Sequence, residues 1–261
     1  MDLLATINPL YSASGFAVGL LVGLTGVGGG SLMTPLLVLL FGIHPATAVG
    51  TDLLYAAATK SVGTAVHGFN KTVDWTLVRR LATGSVPATA VTVLALYLLD
   101  SHGGASKLIT TVLGVAVLIT AAMLLFRNWL LRVLSRHLPA EGPKHAVALT
   151  VLTGAVLGVL VTLSSVGAGA LGVTALFLLY PRMQANRIVG SDIAHAVPLT
   201  LLAGAGHWLM GSVNWLLLGS LLTGSIPGII VGSVIAARVP DGFIRPALAC
   251  VLVLVGGRLV F

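Results

Sequence analysis

The sequence predicts an all-α polytopic integral membrane protein built from two inverted-topology repeats. Each repeat reads as a re-entrant broken-helix hairpin followed by three transmembrane helices. Three observations carry this expectation. The chain is 57% hydrophobic and 8% charged, with a mean hydropathy of +1.05, whereas soluble domains carry about 25% charged residues. Two apolar runs are interrupted by glycine, at Gly26-Val27-Gly28-Gly29-Gly30 and at Gly167-Ala168-Gly169. Residues 48–87 recur at 188–227, with 14 of 40 positions identical.

Residues 11–24 form a first apolar arm of about 21 Å if helical, and residues 30–41 a shorter one. Neither spans a ~30 Å hydrocarbon core alone. Four glycines in five positions do not hold a regular helix, because glycine loses the most backbone entropy on ordering. Unpaired backbone is tolerated at bilayer depth only where it is buried in protein or lines a polar cavity. The break therefore predicts a cavity, and a helix restarting near Gly30 aims free N–H groups and a positive dipole end toward it.

His44-Pro45 starts the next segment, with proline suited to a first helical turn. Segments 46–68, 74–99 and 106–126 follow, separated by turns at Asn70-Lys71-Thr72 and Asp100-Ser101-His102-Gly103-Gly104. Residues 1–126 make the first repeat. Residues 127–145, with Arg127, Arg132, Arg136, Lys144 and two prolines, make a linker, and 146–261 the second repeat.

An offset of 140 relates the halves from Val49 onward and an offset of 139 before it. Lys and Arg mark cytoplasmic loops, which puts the linker inside. If 146–180 is a hairpin returning to its own side, Arg182 and Arg187 also fall inside, as do Arg238 and Arg245. A single crossing there would invert all four. The matching turns agree: Lys71, Arg79 and Arg80 correspond to Gly211, Gly219 and Ser220. The halves are thus expected to be inverted.

The scattered net charge of +7 shows no basic, aromatic-studded patch of the kind single-strand nucleic acid binders use. One cysteine, Cys250, leaves no intramolecular disulfide and no cysteine metal site. No metal site and no cofactor are expected. Met1-Asp2-Leu3-Leu4 lacks a positive signal-peptide start, so the first segment is expected in the mature protein.

Taken with the repeated Val-Gly-Thr/Ser-Asp motif, these breaks resemble the sulfite exporter TauE/SafE family over nearly the whole length. The resemblance rests on Gly26 to Gly30 with Pro35, on Ala48-Val49-Gly50-Thr51, on Ser165 to Gly172, and on Val189 to Pro198. It implies export of a small sulfur-containing anion, such as sulfite, thiosulfate or an organosulfonate, across the bacterial inner membrane. Ala168 departs from an all-glycine version and predicts a more regular helix in that half.

Candidate substrate-binding residues follow from the breaks and their surroundings. Thr25, Gly26, Gly28, Gly29, Gly30 and Ser31 line the first; Ser164, Ser165, Gly167 and Gly169 line the second. Their hydroxyls either donate to an oxyanion or satisfy freed backbone groups. Thr51 and Ser191 adjoin Asp52 and Asp192, a matched pair that either couples protons or caps a helix start. Lys60 lies roughly 18–20 Å along its helix, where it faces a cavity or snorkels to the interface. Its counterpart Thr200 is neutral. Asp52 and Lys60 share a face two turns apart, too far for direct pairing.

His195 stands opposite Tyr55; a histidine that titrates near neutral pH would follow the protonation of an anion such as sulfite. His67 and His207 are matched near segment ends, where a structural role competes with proton coupling. Trp75 and Trp215 read as interface anchors. The resulting function is transport of a small anion in a lipid bilayer; a channel-like pathway, or a proton-coupled carrier of another organic anion, stands beside it. An enzyme would need a nucleophile–base set or metal ligands at usable spacing, and no such motif appears. A homo-oligomer is left open.

This topology makes a direct prediction. In a Cys250-substituted background, cysteines at Gly103 and Ser212 should label from outside, and one at Arg182 only from inside. Labelling of position 182 from outside would sink the inverted hairpin.

Overall fold

The computed structural model describes residues 8–25, 30–69, 71–100, 105–135, 145–236 and 253. Among them the first half forms α1 (Pro9–Thr25), α2 (Gly30–Leu39), α3 (Pro45–Phe69), α4 (Trp75–Asp100) and α5 (Ala105–Ser135). The second forms α6 (Ala146–Ser164), α7 (Ala170–Leu179), α8 (Ala185–Leu209) and α9 (Trp215–Ala236). No strand occurs among the described residues.

Helices α4, α5, α6, α8 and α9 are long and apolar enough to cross a membrane. Helix α3 matches α8 in length, 25 residues each. Asp52, Lys60 and a run of threonines and serines dilute its hydropathy below that of α8. Helix α5 runs on to Ser135, nine residues past the expected linker boundary, because Trp129, Leu130, Leu131, Val133 and Leu134 continue the apolar helical pattern. The linker at 127–145 therefore begins as helix.

Helix α2 restarts at Gly30 as expected; Gly26, Gly28 and Gly29 lie outside the described residues. Ala168 does not make the second break a continuous helix; the first break, with which it is to be compared, lies outside the described residues. Ser165 caps α6 at φ 58°, and Gly167 and Gly169 sit at φ 114° and 118°. One alanine cannot restore a helix when alternate neighbours occupy positive φ, a region glycine enters at no steric cost.

After each break the chain returns to where its hairpin began. The Tyr180 hydroxyl, just past α7, lies 2.8 Å from Thr150 Oγ1 near the start of α6. The Phe41 ring, just past α2, packs edge-on against Tyr11 near the start of α1, centroids 4.9 Å apart. Thr150 and Tyr180 are Tyr11 and Phe41 displaced by 139 residues.

The halves interlock. Helix α1 lies along α9, its counterpart α6 lies along α4, and α3 packs on α8 between them. Both outer pairs close through glycine. A Cβ on Gly84 or Gly154 would run into the carbonyl oxygens of Val151 or Leu81 across α4 and α6. Across α1 and α9, Gly224 and Gly15 face the carbonyls of Ser12 and Leu221 in the same way. These contacts map onto one another by the 139 and 140 offsets. Small residues four apart, such as Gly15 and Gly19 or Gly154 and Gly158, let helix backbones approach where lipid offers no hydrophobic drive.

The turns repeat as well. Thr72 N–H donates to His67 O at 3.0 Å, and Ser212 N–H to His207 O at 2.9 Å. Lys71 (φ 54°) and Gly211 (φ 72°) occupy the left-handed position between them.

Adding a methyl at a closed glycine is expected to overpack the interface. Gly84→Ala should destabilise the protein by roughly 1–3 kcal/mol. Gly219→Ala, with nothing within 4 Å of the added Cβ, should not, since alanine is about 1 kcal/mol better than glycine in a helix. Thermal unfolding in detergent separates the two; an unchanged Tm for Gly84→Ala would remove the close-packing argument.

Candidate functional site

The α3–α8 pair carries the matched Thr/Ser-Asp motifs into the middle of the molecule. Asp52 and Asp192 are 0% and 1% exposed. Asp52 reaches from α3 to α2, where its Oδ2 accepts the Thr34 hydroxyl at 2.5 Å, and Ser165 of the second break borders the same carboxylate. Thr34 lies four residues after Gly30. Asp52 thus gathers the helix following the first break and the opening residue of the second.

Asp192 points from α8 to α7. Its Oδ1 lies so close to Gly172 that a Cβ there would overlap it. Each aspartate therefore faces the short helix that follows the break of its own half. Asp52 Oδ1, Asp192 Oδ1 and Ser165 Oγ are buried and make no hydrogen bond among the described residues. Buried polar groups are ordinarily paired, so these three orphaned oxygens mark the polar interior of the fold.

Lys60, half-buried on α3, acts on this interior through space. Its charge reaches Asp52, Asp192 and His195, yet it makes no ion pair with either aspartate; the ion pair among described residues is Arg187–Asp74 at 3.1 Å. His195 is fully buried, with its Nε2 2.8 Å from Ser85 Oγ of α4. The equivalent positions hold Tyr55 and Ser225, whose side chains also adjoin one another.

The second break offers fewer backbone donors than a bare helix start. The amides of Leu171 and Gly172 both donate to Gly167 O, at 3.1 and 3.4 Å. Those of Ala168, Gly169 and Ala170 make no hydrogen bond among the described residues.

Several candidates turn out to be held in the scaffold. Thr51 Oγ1 accepts the Asn214 amide at 3.1 Å, and Ser191 Oγ accepts the Asp74 amide at 2.8 Å. These equivalent bonds tie α3 to the start of α9 and α8 to the start of α4. Ser164 donates to Leu160 O within its own helix. His67 Nδ1 bonds Thr72 Oγ1 at 2.8 Å, closing its turn, while His207 Nε2 meets Thr162 O at 3.0 Å. Trp75 and Trp215 are half exposed, as interface residues should be. The backbone of Thr25, Gly30 and Ser31 is helical; their side chains lie outside the described set. No group of three His, Cys, Asp or Glu positioned to hold a metal occurs among the described residues.

Sequence reasoning missed Thr34, Ser85 and Ser225. Thr34 had a signal, a hydroxyl just before Pro35 in an otherwise apolar arm. Ser85 and Ser225 lie inside the repeated Thr-Gly-Ser-x-Pro motif, but only the fold brings them to His195 and Tyr55.

The family described as Sulfite exporter TauE/SafE matches over residues 11–259. Among curated proteins, the "Probable membrane transporter protein YjnA" of Bacillus subtilis (strain 168) is 42% identical over 213 residues, covering 80% of this chain and 82% of that protein. The "Probable membrane transporter protein YunE" of the same organism is 38% identical over 73 residues, 28% of this chain and 27% of that one. No solved structure matches the chain.

The Thr34–Asp52 bond yields a stability test. Thr34→Val removes the hydroxyl donor and leaves a buried carboxylate oxygen unsatisfied, a loss of about 1–3 kcal/mol. Thr34→Ser restores the donor and should recover most of the Tm. Equal melting of the Val and Ser variants would show that the bond contributes nothing.

Proposed function

We propose a transport function from one established premise: the chain belongs to the sulfite exporter TauE/SafE family and is a membrane transporter. Its substrate is a small sulfur-containing anion such as sulfite, thiosulfate or an organosulfonate, exported across the bacterial inner membrane. The anion binds between the two glycine-rich breaks. The observation that carries this reading is the meeting of Thr34, Asp52 and Ser165 beside the field of Lys60, because it joins both breaks to one cationic side chain. The amides of 168–170 supply neutral donors at the same level, in the way helix starts bind oxyanions.

The halves sit inverted in the membrane. Supporting this, Tyr180 returns to Thr150, so residues 145–180 begin and end on one side. Arg80 Nη1 reaches Tyr180 Oη at 3.4 Å, and Arg187 pairs with Asp74. The starts of α4, α6 and α8 therefore share a face rich in arginine. A basic face belongs in the cytoplasm, and the linker lies on that side.

Lys60 supplies the attraction that draws the anion inward. Losing a charge-assisted hydrogen bond costs about 1.5–3 kcal/mol, equivalent to roughly a tenfold or greater loss of affinity. In proteoliposomes given sulfite, thiosulfate, isethionate and methanesulfonate, Lys60→Met should lose flux by that factor, with Lys60→Arg retaining part of it. Wild-type flux in the Met variant would return Lys60 to an interfacial snorkelling role.

A further inference from the structure

We propose that Asp192 binds a proton together with the anion, so that a monovalent sulfur anion and H⁺ cross the membrane as a pair and net transport is electroneutral. This rests on the transport reading above and adds a second, co-transported substrate to it.

The two equivalent aspartates are built differently. Asp52 has a hydroxyl donor, Thr34, and a second hydroxyl, Ser165, beside it. Asp192 has no hydrogen-bond partner among the described residues, and its Oδ1 is pressed against the Gly172 backbone. In the first half the residue aligned with Gly172 by the 139 offset is Met33. Asp52 also lies against the backbone of its short helix, at Thr34, so the difference between the halves is the hydroxyl donor that Asp52 has. An isolated buried carboxylate is among the costliest groups to keep ionised, and a proton removes that cost.

The charges around Asp192 decide when the proton binds. Helix α8 packs on α3, α4, α6 and α7. Helices α6 and α7 contain no titratable side chain. The charged residues of α4 lie at its two ends, Arg79 and Arg80 near the start, beside the Asp74–Arg187 ion pair, and Asp100 as its last residue. Of the titratable groups on α3, His67 lies at its far end in a turn, Tyr55 adjoins Ser225, and Asp52 meets α2. Lys60 is the group whose charge acts on Asp192 through space, without an ion pair. On α8 itself, His195 is held by Ser85 and His207 by Thr162 O.

With both carboxylates ionised, one lysine leaves the interior at a net charge of −1. A monovalent anion would take it to −2 in a medium where charges interact strongly. A proton on Asp192 Oδ1 brings the total back to −1, so the loaded and empty interiors carry equal charge. Opposite charges entering one site assist each other, and by linkage each raises the affinity for the other to the same extent. Co-binding of this kind favours transport in one direction together, not exchange.

The test uses the full chain in proteoliposomes with a sulfonate, methanesulfonate or isethionate, because a sulfonate stays ionised near neutral pH and any moving proton must travel on the protein. Potential is clamped with potassium and valinomycin, and a luminal dye reports pH. In the wild type, luminal acidification should accompany sulfonate entry, and the rate should not respond to imposed potential. Asp192→Asn should move sulfonate more slowly, without pH change, and in proportion to potential, carrying about one charge per anion. Asp52→Asn, a change in the binding site itself, should lower the rate, and the sulfonate it does move should still be accompanied by a proton.

A wild type that carries one charge per sulfonate with no pH change overturns the inference and leaves the transport reading intact. Proton movement that survives in Asp192→Asn but is lost in Asp52→Asn overturns the assignment to Asp192. No flux of any sulfur anion takes down the transport reading and the inference with it.

Discussion

A bilayer core provides no water to satisfy a free backbone N–H or C=O, so a broken helix must be wrapped in protein. The rest of the fold follows from that constraint. Residues 161–170 are buried without exception. On one side Leu113, Ala116 and Val117 of α5 pack on Val166 and Ala170; on another, Leu53, Leu199 and Ala203 of the α3–α8 pair cluster with Leu163 and Ala168. The glycine-lined pairs α1–α9 and α4–α6 complete the flanks. Because each pair takes one helix from each half, neither half can enclose its own break alone.

That enclosure explains which features the duplication keeps and which it lets diverge. Contacts that fix backbone positions recur at the same offsets: the glycine–carbonyl contacts, the Thr51 and Ser191 bonds to the next helix start, and the turns at 67–72 and 207–212. The partners of the interior polar side chains do not recur. Thr34 meets Asp52 while Gly172 meets Asp192; Ser85 meets histidine while Ser225 meets tyrosine; Lys60 is answered by Thr200. The scaffold is twofold and the chemistry is not, which suits a site occupied by one small, asymmetrically charged ligand.

Much of the architecture was legible because apolar length and glycine clusters are one-dimensional signals. Helices α3 and α4 begin and end within one residue of their expected limits, and α2 restarts at Gly30. The aligned aspartates were visible as a pair for the same reason. Helix α5 ran past its expected end because a scatter of arginines resembles a linker, although its apolar positions keep helical spacing. Ala168 alone does not close the second break, because the two glycines flanking it stand at positive φ. The partners of Asp52 and His195 come from α2 and α4, 18 and 110 residues away. No local pattern encodes such pairings; the first needs α2 packed back on α3 within one half, and the second needs α4 of one half packed on α8 of the other.

The separation of Lys60 from both aspartates is the remaining clue to what the interior is for. A buried lysine in contact with a carboxylate would form a closed pair, with desolvation set against mutual attraction and little left for a ligand. Here Asp52 sits two helical turns back, about 12 Å along α3, and is occupied by Thr34. Asp192 presses on Gly172 instead of meeting the ammonium group. Lys60 influences both without being neutralised by contact with either. Two buried carboxylate oxygens without hydrogen-bond partners among the described residues, and a lysine that pairs with neither aspartate, leave an interior that the proposed anion and proton would complete.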